Sequence, residues 1–417
     1  MGYRAIAACR ICRSTDLEPV LDLGMQVLTG VFPRDPGAII TRGPLALVKC
    51  QGPDSCGLVQ LAHDYDLGEM YGDNYGYRSS LNRSMVKHLA SKVEWLRKRR
   101  PLAAGDTVLD IGSNDGTTLS QYPKDGLTLL GIDPTSAKFA QYYPPHVQVA
   151  AEFFDRASFE RLAGGKKARI ITSIAMFYDL PDPLAFVQDV AASLADDGVW
   201  HFEQRYLPRM LDQTSYDTVC HEHLEYYALR QIQWLTRKAG LRITDVELND
   251  VNGGSFAITA EKSTADSGTR DAPIVQTMLE REAALGLDTL APYRAFAERT
   301  ERHRHELPKL LGELKDAGKT VHGLGASTKG NVVLQYCAIT PELVPCVAEV
   351  NPEKFGCFTP GSNLPIVSEE VSRAQAPDVY LVLPWHFRPA FVEREKALLA
   401  RGGKLLFPLP AIELVGA

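Results

Sequence analysis

The chain has 417 residues, 45% of them hydrophobic and 23% charged, which is long and apolar enough for two or three folded domains and excludes a disordered chain. A formal net charge of -6 argues against a surface dedicated to nucleic acid, and the basic run at 97–100 reads as a solvated helix end. No stretch approaches the roughly 20 apolar residues that span a bilayer, and the opening MGYRAIAACRICRS lacks a secretory apolar core; a cytoplasmic protein is expected, its eight cysteines serving as metal ligands, buried hydrophobes or reactive thiols before disulfides.

Four of those cysteines fall in the first 56 residues. Cys9 and Cys12 form C-x-x-C, and Cys50 and Cys56 form a wider pair in CQGPDSC. Two such turns supply the four soft thiolates that tetrahedral zinc wants, although the second spacing exceeds the usual two to four residues and unligated cysteines compete. Four thiolates leave no open position for water, so the expected ion holds a small domain together and does no chemistry.

Residues 106–116, DTVLDIGSNDG, predict a strand from Val108 to Ile111, a bare Gly-rich turn and a helix starting near Thr117. A second apolar run, Leu127 to Ile132, ends in Asp133, where a carboxylate at a strand tip can accept both hydroxyls of a ribose. Further strands are expected at Ala168 to Ser173 and Val199 to Glu203, with a helix from Pro183 to Leu194 between them. A dinucleotide fold wants G-x-G-x-x-G for pyrophosphate, whereas Asp110, Gly112, Ser113, Asn114, Asp115 and Gly116 offer carboxylate and amide groups suited to an amino acid. The turn resembles the first motif of class I methyltransferases, which implies S-adenosylmethionine, its methionine part at the turn and its ribose on Asp133. A plain strand-to-helix link is the bland alternative.

Ser215 to Tyr227, SYDTVCHEHLEYY, concentrates titratable and aromatic groups. If it is extended, His221 and His223 project from one face and Glu222 from the other. Histidine suits proton abstraction near neutral pH. A metal at Cys220, His221 and His223 competes, as does plain core packing, but neither H-E-x-x-H nor a second cysteine pair is nearby.

The stretch 290–317 predicts a helix bridging domains, and a strand from Thr320 to Gly323 then enters GLGASTKGN, with a helix start at Val332. Apolar runs at Val344 to Val350, Val379 to Pro384 and Lys404 to Phe407 complete an alternating α/β pattern. Gly323-x-Gly325 followed by Glu349 leaves a rival open, an NAD-dependent oxidoreductase, although the third glycine falls at Gly330 and breaks the fingerprint.

Together, CRIC and CQGPDSCGLVQL, DIGSNDG, MFYDLPDP, HEHLEYY, NGGSF and GLGASTKGN, in that order, resemble the deoxysugar C-methyltransferases nearly end to end. The resemblance implies an α/β protein of three parts: a four-cysteine zinc domain over 1–72, a doubly wound class I methyltransferase domain over 73–285 and a Rossmann-like α/β domain over 286–417 that helps bind a nucleotide-linked keto sugar. It implies His223 as the base, Glu222 beside it, and Tyr75 and Tyr77 at the cofactor pocket. Tyr77, Tyr226 or Tyr227 are candidate donors to an enolate oxygen. His221, Asn252, Ser327, Thr328, Lys329 and Asn331 are candidate substrate contacts, the last four at a helix N-terminus suited to phosphate. The chain departs from some members at Cys220, Asp179 and Asn252, which leaves sugar, nucleotide and methylated carbon open, with O-methylation as a further alternative.

Overall fold

A computed structural model describes residues 2–71, 77–264 and 268–416. The methyltransferase part is built on a seven-stranded sheet in the order Leu241–Asn249, Ser255–Lys262, Leu194–Arg205, Ala168–Ile174, Thr107–Ile111, Thr128–Ile132 and Val147–Ala150. All neighbours run parallel except Ser255–Lys262, which is antiparallel to both of its partners. Chain order reverses beside Thr107–Ile111, and in open α/β sheets ligands bind off the strand C-termini at such a switch point. Apolar runs make these central strands: every residue of Thr107–Ile111 is buried, and on Leu194–Arg205 the rings of Trp200 and Phe202 stack at 3.8 Å.

Two helices cover the sheet where their signals are strongest. Asn82 caps Arg83–Arg99, its side chain accepting from Ser84 N at 3.0 Å and Met85 N at 3.3 Å. Asp182 caps Pro183–Ser193, with proline in the first turn. The helix expected near Thr117 is absent. Only a single tight turn forms, Leu119–Gln121, because Asp115 bonds back to Thr117 through Oδ1 and Pro123 and Gly126 follow at once.

The N-terminal part carries a four-stranded antiparallel sheet of Leu17–Val27, Arg42–Cys50, Val59–Leu61 and, far along the chain, Glu225–Tyr226. The histidine segment thus ends as a strand of the cysteine domain's sheet, so a clean cut at residue 72 does not describe the packing. The C-terminal sheet runs Ile366–Ser368, Val347–Glu349, Val321–Leu324, Val379–Val382, Lys404–Phe407 and Glu413–Val415, parallel but for the last strand. The long helix Ala291–Asp316 precedes it, and the next helix, Thr328–Tyr336, starts four residues before the position expected. One core joins Leu45 and Leu47 of the first sheet to Met210 and Tyr216 of the middle of the chain and to Val332, Val347 and Leu381 of the last domain. No helix among the described residues is long and apolar enough to cross a membrane.

Candidate active site

At the tip of Thr107–Ile111 the chain turns through Gly112, whose φ of +71° and close approach to Met176 (2.9 Å from where a Cβ would sit) demand glycine. Asp133, at the end of the next strand, accepts the Asn114 amide on Oδ2 at 2.8 Å and the Thr135 amide and hydroxyl on Oδ1, both at 2.6 Å. The turn is thereby fixed before any ligand arrives. Asn114 accepts from Ser79 N and donates to the Tyr77 carbonyl, Asp115 accepts from Ser80 N, and Ser113 meets the Tyr143 hydroxyl at 2.8 Å. The side chains of Asn114 and Asp115 therefore hold the segment 77–80 against the turn. Asp110 is fully buried under it; burial pushes its carboxyl up to about 7 against hydrogen bonds from Thr172 and Thr118 that pull it down. Tyr77 is half exposed, and Tyr75 lies outside the described residues.

The histidine segment is not extended. Tyr216–Thr218 forms a tight turn, Val219 N returns to Tyr216 O and His223 N to Cys220 O. This separates the two histidines, contrary to the shared face expected for them. His221 is buried edge-on against Tyr65 at 4.6 Å in the N-terminal core, away from any ligand position beside His223. His223 packs against Tyr178 at 4.5 Å and directs Nδ1 at the Thr218 carbonyl, 2.8 Å away. Since a carbonyl only accepts, Nδ1 carries the hydrogen and Nε2 the lone pair. Burial, reinforced by the charges of Lys329 and Arg205, pushes this histidine down to about 3. Tyr226 lines the same cavity as His223, its O–H donating to the same carbonyl at 3.3 Å, whereas Tyr227 stacks on Phe177 in the opposite core.

His223 opens on a cavity of about 40 Å³ that Ala175, Gln204, Arg205, Glu225, Asn252 and Lys329 also line. Beside it, Glu222 is held up at about 7 by burial, with Lys354 opposing, and a Cβ on Gly30 would collide with its Oε1. Cys220, Glu222 and His223 place one ligand atom each within 4.8 Å of one another, a cluster that differs from the competing metal set by Glu222 in place of His221. Glu203 anchors the floor: its Oε1 meets His88 Nε2 at 2.7 Å, and its Oε2 accepts from Asn249 at 2.8 Å with Lys92 3.3 Å away.

From the C-terminal helix only Lys329 reaches this cavity, its ammonium lowered to about 8 by burial and by Arg205. Ser327 caps the helix, accepting from Gly330 N at 3.0 Å, and Thr328 Oγ1 lies 3.7 Å from where a Gly30 Cβ would sit. Asn331, expected at the substrate, is fully buried and donates to the Thr29 carbonyl at 2.8 Å, tying the last domain to the first. Glu349, the acid of the rival dinucleotide site, accepts Ala326 N on Oε2 and Val350 N and Asn351 N on Oε1, so backbone amides hold it. Trp385 donates to buried Asp217 at 2.8 Å, behind the cavity wall.

Sequence reasoning missed Tyr178, Gln204 and Arg205. The signal was present: Glu203-Gln204-Arg205 are three polar residues at the C-terminal end of an apolar strand, where α/β sheets place their ligand contacts.

The four N-terminal cysteines converge. Cys9 Sγ and Cys56 Sγ lie 3.5 Å apart and Cys12 Sγ and Cys50 Sγ 3.4 Å, all four within 4.8 Å of one another. A zinc ion with bonds of about 2.3 Å to four thiolates sets sulfurs roughly 3.8 Å apart, so the donor set fits that ion closely.

Three family models match successive stretches of the chain: a zinc binding domain at 9–71, a methyltransferase domain at 81–246 and the C-methyltransferase C-terminal domain at 250–410. The C-methyltransferase NovU of Streptomyces niveus is 32% identical over 417 residues, covering 99% of this chain and 98% of NovU. Among solved structures, an S-adenosylmethionine-dependent methyltransferase from Clostridium acetobutylicum (14% identity, TM-score 0.33) matches over 43% of this chain and 92% of its own. Magnesium protoporphyrin IX methyltransferase from Synechocystis (16% identity, TM-score 0.33) matches over 46% and 88%. At such scores these two structural likenesses carry no argument. The end-to-end relative and the three family matches do: the chain belongs to the C-methyltransferase family and is an S-adenosylmethionine-dependent C-methyltransferase.

Proposed function

We propose that the enzyme methylates a carbon next to the ketone of a nucleotide-linked keto sugar, with His223 as the base. The observation that carries this reading is the tautomer: Thr218 O holds the Nδ1 hydrogen, and the bare Nε2 belongs to a ring lining the cavity at the C-terminal end of the strand Leu194–Arg205. A ketone acidifies the neighbouring C–H, so His223 Nε2 takes that proton and the electron pair passes into an enolate. When bound, S-adenosylmethionine supplies a methyl group on a sulfonium, already a good leaving group. The turn at 112–116, with Asp110 and Asp133, positions the cofactor, and the walls around His223 keep water from the enolate. Lys329, at the cavity edge and at a helix start, suits an anionic part of the substrate. Cys9, Cys12, Cys50 and Cys56 hold a structural zinc; the sheet they brace is the one that Glu225–Tyr226 completes, so the ion supports the base without touching the substrate.

The test is methyl transfer from isotopically labelled S-adenosylmethionine to a panel of TDP- and GDP-linked 4-keto-6-deoxyhexoses, with metal analysis of the same protein. Label on a sugar carbon and about one zinc per chain are expected. Label on a sugar oxygen, or on none of the panel, would overturn the reading.

A further inference from the structure

Arg205 ends the strand Leu194–Arg205 and is anchored through one nitrogen: Nη1 donates to the Asn252 carbonyl. Its Nε and Nη2 are buried and have no hydrogen-bond partner. Those two N–H groups share one edge of the guanidinium, the edge that binds an oxyanion side-on. A buried charged donor pair left dry is costly unless something absent from the apo protein accepts from it. Gly253 makes room for the group: at φ +88°, a Cβ there would lie 2.9 Å from Nη1. A second side chain on the same wall is equally unsatisfied, since Gln204 is 1% exposed with neither its amide oxygen nor its nitrogen paired. The wall is therefore built for a polar ligand.

Position decides which part of the ligand it takes. Arg205 and His223 line the same cavity, of about 40 Å³, so a group held on the free edge of Arg205 lies beside the base. Of the nearby tyrosines, Tyr226 donates to Thr218 O and Tyr227 lies in the other core, whereas Tyr178 lines the same cavity against the His223 ring.

We infer that Arg205 is a catalytic residue: its Nε/Nη2 edge receives the ketone oxygen and carries the negative charge that develops there as His223 removes the adjacent proton. The step balances within the site. The C–H pair moves into the new C–C double bond, the carbonyl π pair moves to oxygen against Arg205, and the proton goes to His223 Nε2. The inference rests on the keto-sugar reading above.

Enolate formation is measured apart from methyl transfer by incubating zinc-loaded enzyme in D₂O with TDP-4-keto-6-deoxyglucose and S-adenosylhomocysteine, following deuterium entry beside the ketone by NMR. Wild type exchanges one position. Arg205→Ala slows exchange at saturating sugar by about 100-fold or more, the scale of losing an oxyanion donor, while S-adenosylhomocysteine affinity and melting temperature report an intact fold. Added guanidinium restores a measurable fraction of the exchange to this variant, and Arg205→Lys stays slow because an ammonium lacks the edge. Exchange at the wild-type rate in Arg205→Ala, or a defect confined to KM, overturns the assignment of Arg205 alone. A wild-type enzyme that exchanges nothing overturns the keto-sugar reading and this assignment together.

Discussion

His223 and Thr218 are joined by a 2.8 Å hydrogen bond from imidazole Nδ1–H to a backbone carbonyl five residues earlier, and that single contact fixes which ring nitrogen is free to act. The same ring sits under two cations, Lys329 and Arg205, which with burial hold it down to about 3. An imidazole so depressed is neutral at any physiological pH but a weak base until an anion offsets those charges.

Removing one cation tests that coupling. In Lys329→Met, the His223 ring signal followed by NMR titrates at a measurably higher pH than in wild type, because one of the charges disfavouring the imidazolium is gone. An unchanged titration shows that Lys329 contributes nothing and leaves burial and Arg205 to set the value.

Asp110 makes stability depend on pH in a predictable direction. Its folded value of about 7 lies above the ordinary 3.8, so the folded state binds the proton more tightly. The stability this contributes is fully present below about pH 4 and is lost as pH rises through 7. Asp110→Asn carries no such loss, so its advantage over wild type grows between pH 4 and 7 to roughly 2–4 kcal/mol at pH 8.5. Denaturant melts at several pH values measure it, and a pH-independent difference rules the account out.

Asn331 is a strut. Asn331→Ala leaves the Thr29 carbonyl without its buried donor and costs about 1–3 kcal/mol of stability, with KM for the sugar substrate within a factor of about three of wild type. A large rise in KM with unchanged stability would return this residue to the substrate site.

Removal of metal has a structural effect first. A strong chelator, or Cys56→Ser, strips zinc and lowers the melting temperature by roughly 10 °C or more, since binding energy at a four-thiolate site is folding energy. Full activity in zinc-free protein of unchanged melting temperature contradicts a structural ion.

Much of this was legible in the sequence where local signals act alone. Apolar runs ending at Gly112 and Asp133 announced two strands and the bare turn after the first, and the Lys404–Phe407 strand was readable residue for residue. The cysteine pairs converge as their spacing implied. What failed, the Thr117 helix apart, depended on contacts distant in sequence. Alternation put His221 beside His223, but Glu225–Tyr226 pairs with Val59 and Gln60, and the turn needed to reach that edge buries His221 against Tyr65. Asn331 looked like a helix-start ligand because nothing local reveals Thr29 above it. Arg205 lies just past the strand expected to end at Glu203, and only the fold shows that its free edge is dry.

The most direct test of the central claim is single-turnover methyl transfer by His223→Ala to TDP-4-keto-6-deoxyglucose, beside its affinity for S-adenosylmethionine. Proton abstraction by His223 predicts a rate at least about 100-fold below wild type with cofactor affinity unchanged. A variant that transfers methyl to carbon within about tenfold of the wild-type rate, below the usual contribution of a positioned base, would contradict it.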